Sequence, residues 1–279
     1  MSGFEPRVTA VRADLAAADL EGRVAAPRYA APVPMRCAAP AVAVRKIADR
    51  AAEQQDQLLF GERFDVLDEA GGWAWGQARR DGYVGWVPRE ALAAAEAAPT
   101  HWVHALRTYA FAAPDIKSPA RGPYSINALV SVEAREGRFV RDVDGGWFVE
   151  AHLSPIGLYA DDAAAVAEQH LGAPYLWGGR DSRGLDCSGL VQQALLACGR
   201  SCPRDADMQQ AAFAAPTSVE ALRRGDLVFW RGHVAMLVDA ERIIHANAHH
   251  MAVAVEPLAE ARSRIAAAGG GEPTAFARP

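Results

Sequence analysis

The sequence predicts an α+β domain in the C-terminal half of the chain, preceded by two small β-barrels. Between about residues 41 and 155, short β-type runs alternate with turn residues about every 8–12 positions, which is typical of small barrels. Gly-Gly-Trp occurs at 71–73 and again at 145–147, so the second barrel is predicted as a repeat of the first. From about residue 156, segments with helical spacing are followed by strands.

Composition narrows the class of protein. The chain has 279 residues, a net charge of −5 and 51% hydrophobic residues, which is typical of a globular protein with two or three modules. No basic stripe is present, so nucleic acid is not expected as a partner. No run of 18 apolar residues and no signal-peptide pattern occur, which favours a cytoplasmic protein without a membrane partner. Four cysteines do not suggest a disulfide scaffold, and no cofactor is predicted.

The predicted domains follow from these changes of pattern. Residues 1–40 are rich in Ala, Pro and Arg and are predicted to form an extended arm, with a short helix possible at 12–20. The first barrel is assigned to 41–98 and the second to 99–155. The domain at 156–279 contains predicted helices at 161–171 and 187–198, strands at 227–230, 234–238 and 242–245, and a mobile tail around 269–271.

Cys187 is the first candidate for chemistry, because it lies between a glycine-rich loop and an apolar run with helical spacing. At a helix start, free backbone N–H groups and the helix dipole favour the thiolate, which is the attacking form of cysteine. Asp186 and Ser188 on either side are both good helix caps. Taken alone, Cys187 fits a nucleophile and a buried structural cysteine equally well.

Two histidines decide between these readings. His233 and His245 are an even number of positions apart, and Asp239-Ala240-Glu241 between them is turn material. If the flanking runs form a hairpin, both rings lie on one face of the sheet. One ring can then accept the thiol proton while the other fixes its tautomer through Nδ1. We therefore expect His233 to be the base and His245 to orient it, in a cysteine hydrolase.

The motifs of the C-terminal domain occur in a recognisable order. Tyr175-x-Trp177-Gly178-Gly179, Asp186-Cys187-Ser188-Gly189-Leu190, Arg223-Arg224-Gly225-Asp226, His233-Val234 and Ile244-His245-Ala246 resemble the motif set of NlpC-type bacterial cell-wall cysteine peptidases. Asp81-Gly82-Tyr83-Val84-Gly85-Trp86-Val87 resembles bacterial SH3-like barrels. The resemblance implies a papain-like catalytic domain behind two SH3-like barrels. Within that family, the chain is similar to γ-D-glutamyl-L-diamino-acid endopeptidases, which act on murein peptides.

The resemblance also implies roles for individual residues. Cys187 matches the nucleophile, His233 the base, His245 the third member, and Tyr175 a tyrosine that helps to hold the oxyanion. Asp186 and Ser188 match residues that bind the free amine of an N-terminal L-Ala. Core packing for Tyr175 and simple capping for Asp186 stay open as alternatives. Further candidates for substrate binding are Tyr83, Glu53, Trp177, Arg204 and Asp205.

Other functions are compatible with parts of the sequence. Cys198-x3-Cys202 and His245-x3-His249 have spacings that zinc tolerates, but Cys198 ends a helix and His245 already has a role, so no metal is predicted. One alternative is a catalytically idle adaptor that binds cell-wall peptides. Another is an amidase or acyltransferase that uses the same Cys–His pair. The oligomeric state, the diamino acid accepted and the role of residues 1–40 are not predicted.

Overall fold

The protein is represented by a computed structural model, which describes residues 4–213 and 217–279. The chain divides into two compact units, Met1–Ile156 and Gly157–Pro279. The first unit contains β-strands and short 3₁₀ turns, and the second combines helices with strands. The division falls next to residue 156, where the sequence predicts the start of the α+β domain.

Residues 4–40 are folded and do not form the extended arm predicted for residues 1–40 from their prolines. The helix considered at 12–20 is also absent, because this segment forms strands and a 3₁₀ turn at Ala18–Leu20. Leu15 is completely buried and packs in one cluster with Leu67 and Trp75 of the following sheet. Burial against that sheet therefore overrides the helical propensity of the alanines. The strands are β1 (Val11–Arg12), β2 (Leu15–Ala17), β3 (Tyr29–Ala30) and β4 (Val33–Cys37).

The first β module, residues 33–94, is a seven-stranded antiparallel sheet that includes β4. The order is β10-β4-β7-β8-β9-β5-β6, so the boundary predicted at residue 40 falls inside the sheet. Apolar side chains alternate along its strands and form a common core around Phe64 and Val87. The added strands are β5 (Ala41–Arg45), β6 (Gln54–Leu59), β7 (Arg63–Ala70), β8 (Trp73–Ala78), β9 (Val84–Pro88) and β10 (Leu92–Ala94), with a 3₁₀ turn at Arg89–Ala91.

The second β module, residues 101–155, contains two small sheets with strand orders β14-β11-β18 and β13-β12-β17-β16-β15. Phe60 of the first module joins its core, with the Tyr124 ring at 4.9 Å and the Phe148 ring at 6.1 Å. The strands are β11 (His101–Val103), β12 (Arg107–Phe111), β13 (Ala120–Ser125), β14 (Leu129–Val130), β15 (Val132–Glu136), β16 (Phe139–Asp142), β17 (Trp147–Val149) and β18 (Leu153–Pro155), with a 3₁₀ turn at Glu150–His152.

The second unit places helices against a five-stranded antiparallel sheet with the order β24-β23-β22-β21-β25. Helix α2 packs against the two strands that carry the candidate histidines, β22 and β23. The elements are α1 (Ala163–Glu168), β19 (Arg180–Asp181), β20 (Gly184–Leu185), α2 (Cys187–Ala197), α3 (Ala206–Ala212), a 3₁₀ turn at Val219–Ala221, β21 (Leu227–Trp230), β22 (His233–Leu237), β23 (Arg242–Asn247), β24 (Ala252–Pro257), α4 (Leu258–Ala267) and β25 (Ala275–Ala277).

The end of the chain differs from the prediction of a mobile tail. Strand β25 pairs with β21, with Ala277 opposite Leu227, and extends the sheet after the glycines at 269–271. Ala277 is buried, which explains why this segment is held in place. Among the described residues, no helix has both the length and the apolar character needed to cross a membrane.

Candidate active site

Cys187 is the first residue of helix α2, and Asp186 is its N-cap. One carboxylate oxygen of Asp186 accepts a hydrogen bond of 2.7 Å from the backbone N–H of Gly189. Gly189 has no room for a side chain, since a Cβ atom there would clash with the carbonyl oxygen of Gly179. The first turn of the helix is thus pressed against the glycine-rich loop, and this contact fixes the position of the cysteine.

The Cys187 side chain is buried, with 7% of its surface exposed. Burial, and after it the neighbouring Asp186, raise the pKa of the thiol to about 12. Hydrogen bonds from the backbone N–H groups of Val234 and Ser188 act in the opposite direction. The stabilisation of a thiolate expected at the helix start is therefore outweighed by desolvation. At neutral pH the thiol keeps its proton, so attack on a substrate requires a base.

The two histidines lie on neighbouring antiparallel strands, as the predicted hairpin requires. Met236 faces Ile244, so the register is one residue away from a hairpin centred midway between the histidines. His233 and His245 are therefore diagonal neighbours rather than direct partners, but they still share one face of the sheet. The Asp239 side chain closes the turn by accepting hydrogen bonds from the backbone N–H groups of Glu241 and Arg242.

The two imidazole rings are in direct contact. Nε2 of His233 lies 2.8 Å from Nδ1 of His245, and the ring centroids are 5.1 Å apart. The predicted tautomer contact through Nδ1 of the base is thus made by Nε2 instead. Nδ1 of His233 has no hydrogen-bond partner among residues 4–213 and 217–279. His233 is followed in the sequence by Val234, whose backbone N–H points at the Cys187 sulfur.

Both rings are neutral at physiological pH. Burial, followed by the charge of Arg264, lowers the pKa of His233 to about 4. Burial and the neighbouring His233 lower the pKa of His245 to about 2, and His245 is only 1% exposed. A neutral imidazole can accept a proton, so His233 has the protonation state that a general base needs.

Tyr175 lies on the loop before β19, close enough to Cys187 and Asp186 to interact with them electrostatically. Burial, then Cys187 and Asp186, raise the pKa of its phenol, so the hydroxyl remains a hydrogen-bond donor. That hydroxyl makes no hydrogen bond to any residue in the described part of the chain. It is available to a substrate oxygen, as the oxyanion role requires.

Asp186 does not have the open carboxylate that an amine pocket needs. Its oxygens accept five hydrogen bonds: from the N–H groups of Gly178 and Gly189, from Ser188 Oγ, and from both Nη atoms of Arg204. A carboxylate offers about four lone-pair positions, so no acceptor capacity is left for a substrate amine. Ser188 Oγ also accepts from Arg204, which is 1% exposed. Asp186 therefore caps helix α2, with Arg204 as its buried ion-pair partner, and a role of Asp186 or Ser188 in substrate binding remains a prediction.

The remaining sequence candidates are dispersed. Trp177 is 62% exposed in the glycine-rich loop, and Asp205 is the half-buried N-cap residue of α3. Tyr83 and Glu53 belong to the first unit, where Tyr83 is 3% exposed and Glu53 lies on the surface just before β6. A role in substrate binding remains a prediction for these four residues.

Sequence reasoning missed Glu256 and Arg264. Nε2 of His245 lies 2.7 Å from Glu256 Oε1 on strand β24, and this oxygen also pairs with the guanidinium of Arg264 on helix α4. The signal was weak: a glutamate closing the apolar alternation of 252–257, followed by a helical segment with an arginine. Its meaning depends on the pairing of β23 with β24, which the sequence alone does not fix.

The same region contains the one group of potential metal ligands found among the described residues. Ligand atoms of His245, His250 and Glu256 lie within 4.8 Å of one another. This group differs from the cysteine and histidine pairs weighed in the sequence. The guanidinium of Arg264 already pairs with Glu256, and its positive charge opposes the binding of a cation there.

Comparison with known proteins identifies related sequences for both units. The profile of the NlpC/P60 family matches residues 172–265, and that of the bacterial dipeptidyl-peptidase Sh3 domain matches residues 44–92. The gamma-D-glutamyl-L-lysine dipeptidyl-peptidase of Bacillus subtilis is 30% identical over 224 residues, which cover 69% of this chain and 72% of the relative. The enzyme of the same name from Bacillus cereus is 26% identical over 236 residues, which cover 73% of this chain and 70% of the relative.

A solved structure shows the same fold. The crystal structure of an NlpC/P60 family protein from Bacillus cereus matches with a TM-score of 0.73 at 20% identity. The match covers 88% of this chain and 99% of the other. The likeness shows the fold of this chain.

Proposed function

We propose that this chain, which belongs to the NlpC/P60 family and is a cysteine peptidase, hydrolyses the bond between γ-D-glutamate and an L-diamino acid in murein peptides. The observation that carries the proposal is the contact of 2.8 Å between His233 and His245. The residue that follows His233 on the same strand is Val234, whose backbone N–H points at the Cys187 sulfur. The substrate class is supported by the two relatives named gamma-D-glutamyl-L-lysine dipeptidyl-peptidases.

The proposed reaction has two steps. In the first, Nδ1 of His233 takes the thiol proton while the Cys187 sulfur attacks the γ-carbonyl carbon of the D-glutamyl residue. Tyr175 and backbone N–H groups stabilise the oxyanion, and His233 then protonates the departing amine of the diamino acid. In the second step, water attacks the thioester, the γ-carboxylic acid leaves, and the sulfur recovers its proton. Since the thiol and the imidazole are both neutral at rest, charge separates only when the substrate is in place.

We further propose that the preferred substrates are short peptides with a free N-terminal L-Ala, which places the enzyme in the recycling of cell-wall peptides. Support comes from the dipeptidyl-peptidase names of the two relatives. Because Asp186 is saturated by protein donors, the acceptors for the amine must be other groups. The specificity is tested by comparing a peptide with its N-acetylated form: we expect at least a hundredfold loss of kcat/KM on acetylation, and equal cleavage would contradict a requirement for the free amine.

The central experiment incubates the protein with L-Ala-γ-D-Glu-diaminopimelate and with the corresponding L-lysine peptide. We expect mass spectrometry to show L-Ala-D-Glu and the free diamino acid. Cys187→Ala should abolish release, whereas Cys198→Ala, a change of a half-buried cysteine at the end of α2, should leave it unchanged. Intact peptide with the wild-type protein, or equal release by Cys187→Ala, would refute the proposal in favour of an adaptor without activity.

A further inference from the structure

The Glu256 carboxylate contacts His245 on the side of the ring away from His233, and the Arg264 guanidinium pairs with this carboxylate. On strands β23 and β24, Ile243 faces Glu256 and His245 faces Ala254, so His245 and Glu256 are diagonal neighbours on one face. The Glu256 side chain is 11% exposed and that of Arg264 is 27% exposed. Both side chains are therefore partly removed from water. Hydrogen bonds between charged groups are stronger in such an environment than in water.

The direction of each hydrogen bond in this chain of groups follows from what each atom can do. Glu256 carries an ion pair with Arg264 and can only accept, so the proton on the 2.7 Å contact belongs to Nε2 of His245. A neutral imidazole has one N–H, so Nδ1 of His245 must accept. The 2.8 Å contact then requires that Nε2 of His233 donates. The remaining nitrogen, Nδ1 of His233, is left with its lone pair.

We propose that Glu256, held in place by Arg264, is a positioning residue that fixes the tautomers of both histidines and thereby places the basic lone pair of His233 on Nδ1. The inference rests on the proposed peptidase function and deepens it. It extends the reactive cluster beyond the nucleophile, the base and the second histidine to an acceptor that determines where the protons are. Neither Glu256 nor Arg264 needs to touch the substrate for this role.

Arg264 has a second effect in this arrangement. Its charge neutralises that of Glu256, so the pair orients the rings without strongly favouring an imidazolium. Burial is the main cause of the lowered pKa of both rings; the charge of Arg264 lowers both further, whereas Asp186 raises the pKa of His233. His249 and His250 add to the lowering at His245. The base is thus kept neutral and correctly protonated at the same time.

Two substitutions of Glu256 separate its acceptor character from its size. Gln keeps the shape, but its amide can rotate and donate to His245, which permits the wrong tautomer. Asp is shorter but can only accept. For Glu256→Gln we expect a fall in kcat of about 10²–10³ with KM within about twofold, the kind of effect expected when a carboxylate that sets a catalytic tautomer is removed. For Glu256→Asp we expect to retain activity within about tenfold. The opposite order, with Gln more active than Asp, would show a packing role and overturn the proposal.

A matched control is present on the same helix. Arg262 and Glu272 form an ion pair of 2.8 Å, and both are more exposed than Arg264 and Glu256. Glu272→Gln and Arg262→Met should leave kcat unchanged, whereas Arg264→Met should lower kcat about tenfold by releasing Glu256. Equal effects of the two arginine changes would contradict a specific role for Arg264.

A direct measurement of the protons separates this inference from the proposed function. Nitrogen NMR of histidine-labelled protein should show Nε2 protonated in both His233 and His245, and mixed tautomers in Glu256→Gln. If the wild type fails to cleave the peptide but shows these tautomers, the proposed substrate is wrong and the proton arrangement stands. If the wild type cleaves and Nε2 of His245 is bare, the inference alone fails.

Zinc provides the last outcome. A cation bound by Glu256, His250 and the Nε2 atom of His245, the nitrogen beside Glu256, would need a bare Nε2, which is the opposite tautomer. We therefore expect added Zn²⁺ to give no activation and a chelator to give no loss of activity. Activity that disappears with the chelator and returns with Zn²⁺ would overturn the assignment of Glu256 as a proton acceptor.

Discussion

The helix side and the sheet side of the candidate site use the same pair of residue types in different ways. At the start of α2, Asp186 lies next to the thiol and pairs with Arg204. On the sheet side, Glu256 lies next to the His245 imidazole and pairs with Arg264. Asp186 is saturated by protein donors, so it holds the loop and the helix together. Glu256 instead accepts from a histidine and influences a proton that takes part in chemistry.

The difference shows how a buried carboxylate acquires its role. At Asp186, rigid donors from the glycine-rich loop, the helix start and Arg204 fill every lone pair. At Glu256, the principal donors are a histidine and an arginine side chain. Buried charges must be satisfied in both places, but only a titratable donor couples that satisfaction to catalysis. Stability and activity should therefore respond differently on the two sides.

The largest effect is expected from Arg204→Met. The substitution leaves the Asp186 carboxylate buried without its ion-pair partner, which typically costs about 3–5 kcal/mol of the free energy of unfolding. Thermal and denaturant unfolding of the second unit should show this loss directly. We expect little cleavage activity as well, because the helix start that carries Cys187 is held by the same contacts.

Arg183→Met is the matched control for that experiment. Arg183 also binds an aspartate through two nitrogens, but its side chain is 51% exposed. An exposed pair contributes about 1 kcal/mol or less. A loss below about 1 kcal/mol for Arg204→Met, similar to that of the control, would contradict the structural role assigned to the Asp186–Arg204 pair.

On both the helix side and the sheet side, the sequence predicts the residues that have local signals and misses the partners that the fold brings close. Cys187, His233 and His245 carry local signals: a glycine loop before a helix, and even spacing across a hairpin. The ion pair of Asp186 was not predicted, because its partner, Arg204, lies 18 positions away and is brought close only by the fold. Glu256 was missed because its position depends on which strand pairs with β23.

The N-terminal region shows the same limit. Its prolines predict an extended arm, and propensity alone cannot reveal that Leu15 packs against Trp75 of the first β module. The division of the chain near residue 156 was easier to predict from the sequence, because the change from strand-like to helical periodicity there is a long-range signal. Patterns within one element are thus predictable, whereas contacts between elements required the structure.

A second prediction concerns the pH dependence of stability, which only the sheet side should control. The folded protein keeps His233 neutral down to a pKa of about 4, whereas the unfolded chain binds a proton near pH 6.5. The unfolded state therefore holds more protons between these values, and stability rises with pH in this window. His233 alone should cost about 2 kcal/mol on lowering the pH from 7 to 5.

Unfolding measured at several pH values checks this expectation. His233→Gln should remove about half of the fall between pH 6.5 and 4, because His245, whose pKa is also lowered, contributes the rest. His104→Gln, a change of an exposed histidine of the first unit, should leave the slope unchanged. If the wild type is as stable at pH 5 as at pH 7, the histidine pair is not held neutral by the fold, and the sheet side loses the property that distinguishes it.

Ser188→Ala should have the smallest effect and separates structure from substrate binding at one atom. The Ser188 hydroxyl donates to Asp186 at 3.2 Å and accepts from Arg204 at 3.0 Å, so it bridges the ion pair. Removing it should cost about 1 kcal/mol of the free energy of unfolding, with KM for the murein peptide unchanged. If KM instead rises more than tenfold while stability is retained, the hydroxyl binds the substrate amine as the sequence suggested. The helix side would then take part in recognition, and the contrast between the two carboxylates would narrow to the proton that Glu256 accepts.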